Sequence, residues 1–181
     1  MSNIPLINPD DTSGAHADLF NQIHTTFGVV PNMFKAIGNS SAALESMWTS
    51  FGALGNGVLD AKLGEQIAVL IANINRCEYC LAAHTVLGEN AGATPTEMSE
   101  AQGGKSSDPK TQAVLDFAKK LVENRANVSK SDITILQENG FNDADVAEIL
   151  AHVALNIFTN YTNIAFDVPL DFPKVSLKAI A

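Results

Sequence analysis

Apolar side chains recur every three or four residues along nearly the whole chain, which is the period of an amphipathic helix. Leu19, Ile23 and Phe27 show this spacing first. Residues that cap, break or turn helices separate the periodic stretches. No useful stretch alternates with period two. The pattern predicts an all-α fold, an antiparallel helical bundle, with helices over about 15–27, 33–37, 44–54, 60–74, 77–91, 114–122, 131–138 and 142–161, and a short segment from 95.

Length and charge narrow the class of protein. The chain has 181 residues, 46% of them apolar, which suits one globular domain over residues 1–181. Its formal charge of −9 disfavours binding to nucleic acid or to an anionic membrane surface. We therefore expect neither as a partner.

The chain begins without a basic segment followed by an apolar run, so we expect no signal peptide. Its best apolar stretch, 67–72, is far shorter than the roughly 18 residues of a membrane span. These features predict a cytoplasmic protein. In that compartment a pair of nearby cysteines is more often catalytic or metal-binding than a structural disulfide.

Both cysteines of the chain lie in one run that also holds a carboxylate and an imidazole. Glu65 is followed by eleven residues, Cys77, two residues, Cys80, three residues and His84. Two thiols at i and i+3 can close a small disulfide, and a histidine at i+4 from the second thiol can accept its proton. The spacing indicates a redox-active dithiol with its own base.

Glu65 reaches this group only if the chain reverses between Asn73 and Arg76. The helices before and after such a turn lie side by side, and the carboxylate of Glu65 then falls within about one helical turn of His84. There it would orient the imidazole. A helix start near Asn75 and Arg76 would place both thiols close to a helix N-terminus, which favours the thiolate.

The implied chemistry is reduction of a hydroperoxide. Cys80, nearer the base, is expected to attack the peroxide and become a sulfenic acid, and Cys77 to condense with it to a disulfide. An external dithiol would restore both thiols. In thioredoxin-like sites the first cysteine usually attacks, so the order of the two cysteines stays open.

Glu65, Cys77, Cys80 and His84 match in full the signature E-x11-C-x2-C-x3-H, which resembles the alkylhydroperoxidase D-like, peroxidase-related branch of the carboxymuconolactone decarboxylase family. Two other stretches are similar to the same branch, namely Phe27-Gly-Val-Val-Pro-Asn-Met33 and 151–163 followed by Asp171-Phe-Pro173. The resemblance spans roughly residues 5–175.

The resemblance implies an alkylhydroperoxidase D-like helical fold and homo-oligomers, as trimers, dimers or hexamers. It also implies peroxide reduction by the cysteine pair, with a lipoyl-bearing or thioredoxin-like reductant. The better-known hydroperoxidases carry a histidine directly before the second cysteine, where this chain has Tyr79. The proton relay is therefore expected to be shorter. The decarboxylase branch generally lacks the cysteine pair, which disfavours decarboxylation.

Other readings of the motif remain open. The same dithiol could serve a protein disulfide reductase or a redox-sensing module. It could also bind zinc, with His152, His24 or Glu65 as the fourth ligand. An enzyme of decarboxylase or lactone chemistry could retain an idle dithiol. The preferred interpretation has no resident metal and no cofactor.

Candidates for substrate binding are weaker. Tyr79 could form one wall of the site, and Asn156, Asn160 and Asn163 could line a pocket, although interhelical hydrogen bonds explain asparagines in a helix equally well. Tyr79, Asn156 and Asn160 are kept as substrate-binding candidates. His152 is expected to be a hydrogen-bonded structural residue. Four large apolar residues are interpreted as core or subunit interface rather than as a substrate box: Met33, Phe34, Trp48 and Phe51.

Overall fold

The fold is entirely helical in the computed structural model, which describes residues 2–179. A 3-10 turn at Pro9–Asp11 precedes nine α-helices, and no strand occurs among these residues. The helices are α1 (Ala15–Phe27), α2 (Asn32–Ile37), α3 (Ser41–Gly55), α4 (Ala61–Ile74), α5 (Glu78–Asn90), α6 (Pro95–Gln102), α7 (Pro109–Glu123), α8 (Lys130–Glu138) and α9 (Asp143–Ala165). The predicted all-α class is confirmed.

Most helices begin where the sequence places a capping side chain. Ser40 and Asp60 accept hydrogen bonds from the first turns of α3 and α4, as their positions predict. Asn142 caps α9 together with Asp145 in a reciprocal capping box. The predicted end of α9 at Tyr161 is wrong, because the helix continues to Ala165. The first helix-breaking proline after Tyr161 is Pro169, so no proline stops the helix earlier.

Helix α4 is the centre of the bundle. It packs against α5, α6, α7 and α9, and its residues from Gln66 to Asn73 are all buried. One hydrophobic cluster that includes this segment also takes in side chains of the other α-helices. Any polar group carried by α4 is therefore held on a rigid support.

The chain reverses between α4 and α5. Arg76 adopts a left-handed conformation with φ of 63°, and the amide of Cys77 donates a hydrogen bond to the carbonyl of Ala72 at 2.9 Å. This αL residue with a bond back to the preceding turn is a common way to end a helix. The reversal predicted at 73–76 is confirmed.

After α9 the chain runs without regular structure and contacts side chains of α4, α5 and α6. We call residues 167–179 the C-terminal tail. Asn73 accepts a hydrogen bond from the backbone amide of Lys178, and Gln102 donates one to the carbonyl of Ser176. No helix within residues 2–179 is long and apolar enough to cross a membrane.

Candidate redox-active site

The two cysteines lie at the start of α5. Cys77 is the N-cap residue, and its Sγ accepts a hydrogen bond from the amide of Cys80 at 3.2 Å. The two sulfurs form a disulfide, with the Cα atoms 5.4 Å apart. A sulfur at the N-cap faces the positive end of the helix dipole, which favours a thiolate there once the disulfide is reduced.

Glu65 and His84 face each other across the α4–α5 reversal. Oε2 of Glu65 lies 2.7 Å from Nδ1 of His84, so the imidazole donates its Nδ1 proton to the carboxylate. The reversal at 73–76 predicted the carboxylate within about one helical turn of the imidazole, in contact either directly or through one water, and the structure shows the direct contact. It leaves Nε2 as the ring nitrogen that can accept a proton.

Close packing of α5 against α4 and α6 depends on Gly88. A Cβ atom at this position would lie 2.3 Å from Cε of Met98 and 3.3 Å from Cβ of Glu65. Gly88 lies one helical turn after His84, so it sets the separation of the two helices beside the Glu65–His84 pair. Sequence reasoning did not identify this residue, although a glycine inside a helical stretch is a signal for close approach.

Asn163 reaches the disulfide from α9. Its Nδ2 donates a hydrogen bond to Sγ of Cys80 at 3.2 Å, and its Oδ1 is buried without a partner. The amide is oriented with its donor towards the sulfur, because a disulfide sulfur can accept a hydrogen bond but has none to donate. A donor at this distance stabilises negative charge on Cys80.

The substrate-binding candidates among the asparagines have other contacts. Asn160 accepts a hydrogen bond from Asn75 at 3.0 Å, and Asn156 donates one to the carbonyl of His152 at 2.9 Å. Neither borders the pocket at the disulfide, whereas Asn163 does. Asn156, Asn160 and Asn163 share one face of α9. They differ in position along the helix, and Asn163 is the one that lies at the level of the disulfide.

A small pocket opens beside Cys80, and we call it the Cys80 pocket. It has a volume of about 50 Å³ and borders Cys80 and His84 but not Cys77. Its other walls are mostly apolar and include Phe27, Pro31, Met33, Phe34, Phe51, Ala83, Leu87 and Phe172. The interpretation of Met33, Phe34 and Phe51 as core or interface was incomplete, because these residues are packed in the bundle and also line the pocket.

Tyr79 forms part of the pocket wall, but its hydroxyl group points to the tail. It donates a hydrogen bond to Oδ2 of Asp171 at 2.6 Å, and the same oxygen accepts one from the amide of Asn32 at 2.7 Å. Burial, followed by the hydrogen bond and the charge of Asp171, raises the pKa of Tyr79 well above its usual value. The hydroxyl therefore stays protonated and engaged with the tail.

His152 lies on α9 next to α4. Its Cε1 is 3.3 Å from the position that a Cβ atom on Gly64 would occupy, so the ring packs closely against α4 at this glycine. Its Nε2 is buried without a hydrogen-bond partner and lies 4.0 Å from Oε1 of Glu148. The expectation of a hydrogen bond at this nitrogen is therefore wrong. Burial lowers the pKa of His152, while the negative charges of Glu148 and Glu65 act in the opposite direction and raise it.

The part of the chain that the structure describes contains no cluster of side chains arranged as metal ligands. No group of three or more histidine, cysteine, aspartate or glutamate side chains there is arranged to hold a metal ion. The residues considered above as zinc ligands are paired with one another instead, because Cys77 and Cys80 form a disulfide and Glu65 is hydrogen-bonded to His84.

The comparisons with known proteins begin with a family whose model matches the part of the chain that contains this hairpin. The family model of the carboxymuconolactone decarboxylase family matches residues 42–124, which include Glu65, both cysteines and His84. The "uncharacterized protein 4 in cox locus" of Paracoccus denitrificans is 31% identical over 77 residues, or 40% of this chain and 69% of that protein.

Two solved structures share the fold over almost the whole chain. One is the alkylhydroperoxidase AhpD core, an uncharacterized peroxidase-related protein from Ralstonia eutropha JMP134, with a TM-score of 0.86 and 23% identity over 94% of this chain and 92% of that one. The other is the debrominase Bmp8, a C82A variant in complex with 2,3,4-tribromopyrrole, with a TM-score of 0.78 and 18% identity over 93% and 91%. At these identities the likeness concerns the fold.

Proposed function

The chain belongs to the carboxymuconolactone decarboxylase family, and we propose that within it the protein is a thiol-dependent hydroperoxide reductase that uses Cys77 and Cys80. One observation carries the proposal. Cys80, which forms a disulfide with Cys77, borders an apolar pocket together with His84. Nδ1 of His84 is hydrogen-bonded to Glu65, which leaves Nε2 available as a base. A nucleophile, a base and an orienting carboxylate are thus assembled around a space for substrate.

The first step oxidises Cys80. In the reduced enzyme, Nε2 of His84 accepts the proton of the Cys80 thiol, while Glu65 holds the imidazole by its Nδ1 proton. The thiolate attacks the terminal oxygen of the hydroperoxide, so that an S–O bond forms and the O–O bond breaks. The alkoxide takes the proton from His84 and leaves as the alcohol. Asn163 stabilises the thiolate before the attack.

The second step resolves the sulfenic acid. Sγ of Cys77 attacks Sγ of Cys80, an S–S bond forms, and the S–O bond breaks with release of water. The proton that completes the water comes from the Cys77 thiol. An external dithiol then returns two electrons and two protons to the cysteine pair. Because the hydroxyl group of Tyr79 is hydrogen-bonded to Asp171, His84 accepts and returns the proton of the first step without a second relay residue.

A protein disulfide reductase is less well supported. Such an enzyme must present a sulfur to the surface of a folded partner, whereas Cys77 and Cys80 are 1% and 2% exposed. A small peroxide needs only the space of the Cys80 pocket.

The apolar walls of the Cys80 pocket favour one second candidate, reductive removal of halogen from an aromatic ring, because the fold is shared with a debrominase whose structure holds 2,3,4-tribromopyrrole. Thiolate attack on bromine would form an S–Br bond and leave a ring carbanion, which His84 would protonate. Attack by Cys77 would then release bromide and close the same disulfide. Incubation with tribromopyrrole and measurement of free bromide tests this candidate directly.

The remaining expectations form part of the proposal. We expect one domain over residues 1–181, of which Met1, Ile180 and Ala181 lie outside the described residues. We also expect a cytoplasmic homo-oligomer, either dimer, trimer or hexamer, without nucleic-acid or membrane partners. The substrate is a peroxide, and the reductant is a dithiol on a thioredoxin-like or lipoyl-type partner. Sedimentation velocity measures the number of subunits.

The decisive experiment measures peroxide consumption with wild type, Cys77→Ser and Cys80→Ser, and traps sulfenic acid for mass spectrometry. We expect turnover to vanish in both variants, and a trappable sulfenic acid in Cys77→Ser only. Trapping in Cys80→Ser instead would exchange the roles of the two cysteines. If the wild type consumes no peroxide, the proposed function is wrong. Decarboxylase or lactone activity that survives replacement of both cysteines would support that alternative chemistry.

A further inference from the structure

The disulfide borders two separate openings. The Cys80 pocket touches Cys80 but not Cys77, and a second opening, which we call the Cys77 cleft, touches Cys77 but not Cys80. The Cys77 cleft has a volume of about 400 Å³, compared with about 50 Å³ for the Cys80 pocket. Among residues 2–179, Tyr79 and Asn163 alone border both spaces, so these two residues form the wall between them.

The two openings also differ in chemistry. The Cys80 pocket is surrounded mainly by rings and aliphatic groups, and His84 is its one titratable base. The Cys77 cleft is lined by charged residues, Arg76, Glu78 and Asp167, as well as by Ile164 and Leu170. Ile164 and Leu170 are 47% and 38% exposed, so the mouth of the cleft lies at the surface.

We propose that the two halves of the catalytic cycle use opposite sides of the disulfide. The peroxide meets Cys80 from the Cys80 pocket, and the reducing dithiol meets Cys77 from the Cys77 cleft. The peroxide half rests on the function proposed above, whereas the reductive half requires only that the disulfide be present.

The direction of thiol–disulfide exchange supports this assignment. A thiolate attacks one sulfur and expels the other, so attack on Cys77 releases Cys80 as the thiolate. Asn163 already donates a hydrogen bond to Sγ of Cys80 at 3.2 Å and stabilises that leaving group. His84, on the same side as Cys80, can hold the proton that Cys80 regains.

The exchange is balanced. The first thiolate of the reductant forms an S–S bond with Cys77 as the Cys77–Cys80 bond breaks. The second thiol of the reductant attacks its own mixed disulfide, expels Cys77 and closes the oxidised reductant. Two electrons and the two thiol protons pass from the reductant to the cysteine pair. Cys77 leaves as a thiolate at the N-terminus of α5, where the helix dipole and the amide of Cys80 stabilise it.

Burial limits what the cleft admits. Cys77 is 1% exposed, so a sulfur on the surface of a folded protein cannot approach it in line. A dithiol on a slender, flexible carbon chain can enter a space of about 400 Å³. Of the two kinds of reductant proposed above, the cleft therefore favours a dithiol on a flexible arm over one on the surface of a thioredoxin-like protein, and dihydrolipoamide is a suitable probe.

The test separates the two entrances by blocking each one. The protein is first oxidised with diamide, which closes the disulfide without any peroxide. Its reduction by dihydrolipoamide is then followed by quenching with N-ethylmaleimide and measuring the mass. Ile164→Trp fills the Cys77 cleft, and Ala83→Leu narrows the Cys80 pocket. Tyr161→Trp is the matched control, because Tyr161 is exposed on the same helix and borders neither opening.

We expect Ile164→Trp to slow reduction by about tenfold or more and Ala83→Leu to leave its rate within about twofold. Oxidation by peroxide is expected to show the reverse ranking, and Tyr161→Trp to resemble wild type in both reactions. If Ala83→Leu slows reduction and Ile164→Trp does not, both reagents use one entrance and the inference is wrong. Reduction through the Cys77 cleft in a protein that consumes no peroxide would support the inference and reject the proposed function.

A second measurement identifies the sulfur that is attacked. The oxidised protein is mixed briefly with a monothiol, quenched with acid and analysed by tandem mass spectrometry. The monothiol is expected on Cys77, with Cys80 free. The opposite labelling would overturn the assignment.

Discussion

The site is built from two regions that are held in place in different ways. The α4–α5 hairpin is held by helix packing and carries Glu65, Cys77, Cys80 and His84. The C-terminal tail has no regular structure and is held by hydrogen bonds to distant side chains such as Asn73 and Tyr79. The hairpin supplies reactive groups, whereas the tail supplies a wall through Phe172. Changes in the hairpin should therefore alter chemistry, and changes in the tail should alter stability and access.

The largest effect on activity short of removing a cysteine is expected in the hairpin, from Glu65→Gln. The variant loses the charge that orients His84 and offers an amide that can also donate to Nδ1 and reverse the tautomer. We expect kcat/KM for peroxide to fall by about 100-fold, which corresponds to about 2.7 kcal/mol of activation free energy. The free energy of unfolding should change by less than about 1 kcal/mol, since Glu65 is partly exposed.

Glu97→Gln is the matched control for Glu65→Gln. Glu97 also forms an ion pair with α4, accepting from Lys62 at 2.6 Å, but it lines neither the Cys80 pocket nor the Cys77 cleft. Steady-state kinetics of both variants should show a loss for Glu65→Gln and a change within about twofold for Glu97→Gln. Equal losses would mean that the carboxylates act through the packing of α4 rather than through His84.

The next effect is on stability and concerns the attachment of the tail. Asn73 is fully buried at the end of α4, and its Oδ1 accepts hydrogen bonds from Lys178 at 2.9 Å and from Gln102 at 3.1 Å. Asn73→Ala leaves the amide of Lys178 and one N–H of Gln102 without these partners, although Gln102 keeps its hydrogen bond to Ser176, and we expect it to lower the free energy of unfolding by about 2–3 kcal/mol. Urea denaturation measures this loss. Asn56→Ala, at an exposed residue with one local hydrogen bond, should cost less than about 1 kcal/mol.

A smaller effect is expected at the contact between the two regions. Asp171 accepts hydrogen bonds from Tyr79 of the hairpin and from the start of α2. We expect Asp171→Asn to cost about 1–2 kcal/mol of stability and to raise KM for peroxide a few-fold at unchanged kcat, because the wall at Phe172 loosens. In a double-mutant cycle with Tyr79→Phe, the coupling should be about 1 kcal/mol. Additive losses would show that Tyr79 and Asp171 act independently.

The hairpin could be predicted from the sequence because its determinants are local. The spacing of Cys77, Cys80 and His84 is fixed by the helix, and a short reversal is enough to bring Glu65 to the imidazole. Local sequence patterns, namely the period of the apolar side chains and the capping residues before them, likewise predicted the helices and where several of them begin.

The contacts of the tail could not be predicted in this way, and neither could the choice of Asn163 among the three asparagines that were considered as pocket residues. The contact of Asp171 with Tyr79 joins residues 92 positions apart, and no periodicity records it. Asn163 has the same chemistry and helix face as Asn156 and Asn160, and only the crossing of α9 over the start of α5 distinguishes it. Aromatic residues such as Phe34 serve both core and pocket, so their apolar spacing alone cannot separate the two roles.

The smallest predicted effect concerns His152, which packs against α4 of the hairpin and does not line the Cys80 pocket. Burial holds the pKa of this imidazole below its ordinary value of 6.5, with the charges of Glu148 and Glu65 opposing and that of His84 adding to the shift. As the pH falls through about 6.5, the unfolded chain binds a proton that the folded protein does not, so the free energy of unfolding decreases. His152→Gln removes this contribution. Between about pH 7.5 and 5, the free energy of unfolding of the wild type should therefore fall by more than that of the variant, as measured by urea denaturation. Parallel curves for the two proteins would show that His152 takes up its proton equally well in the folded and unfolded states.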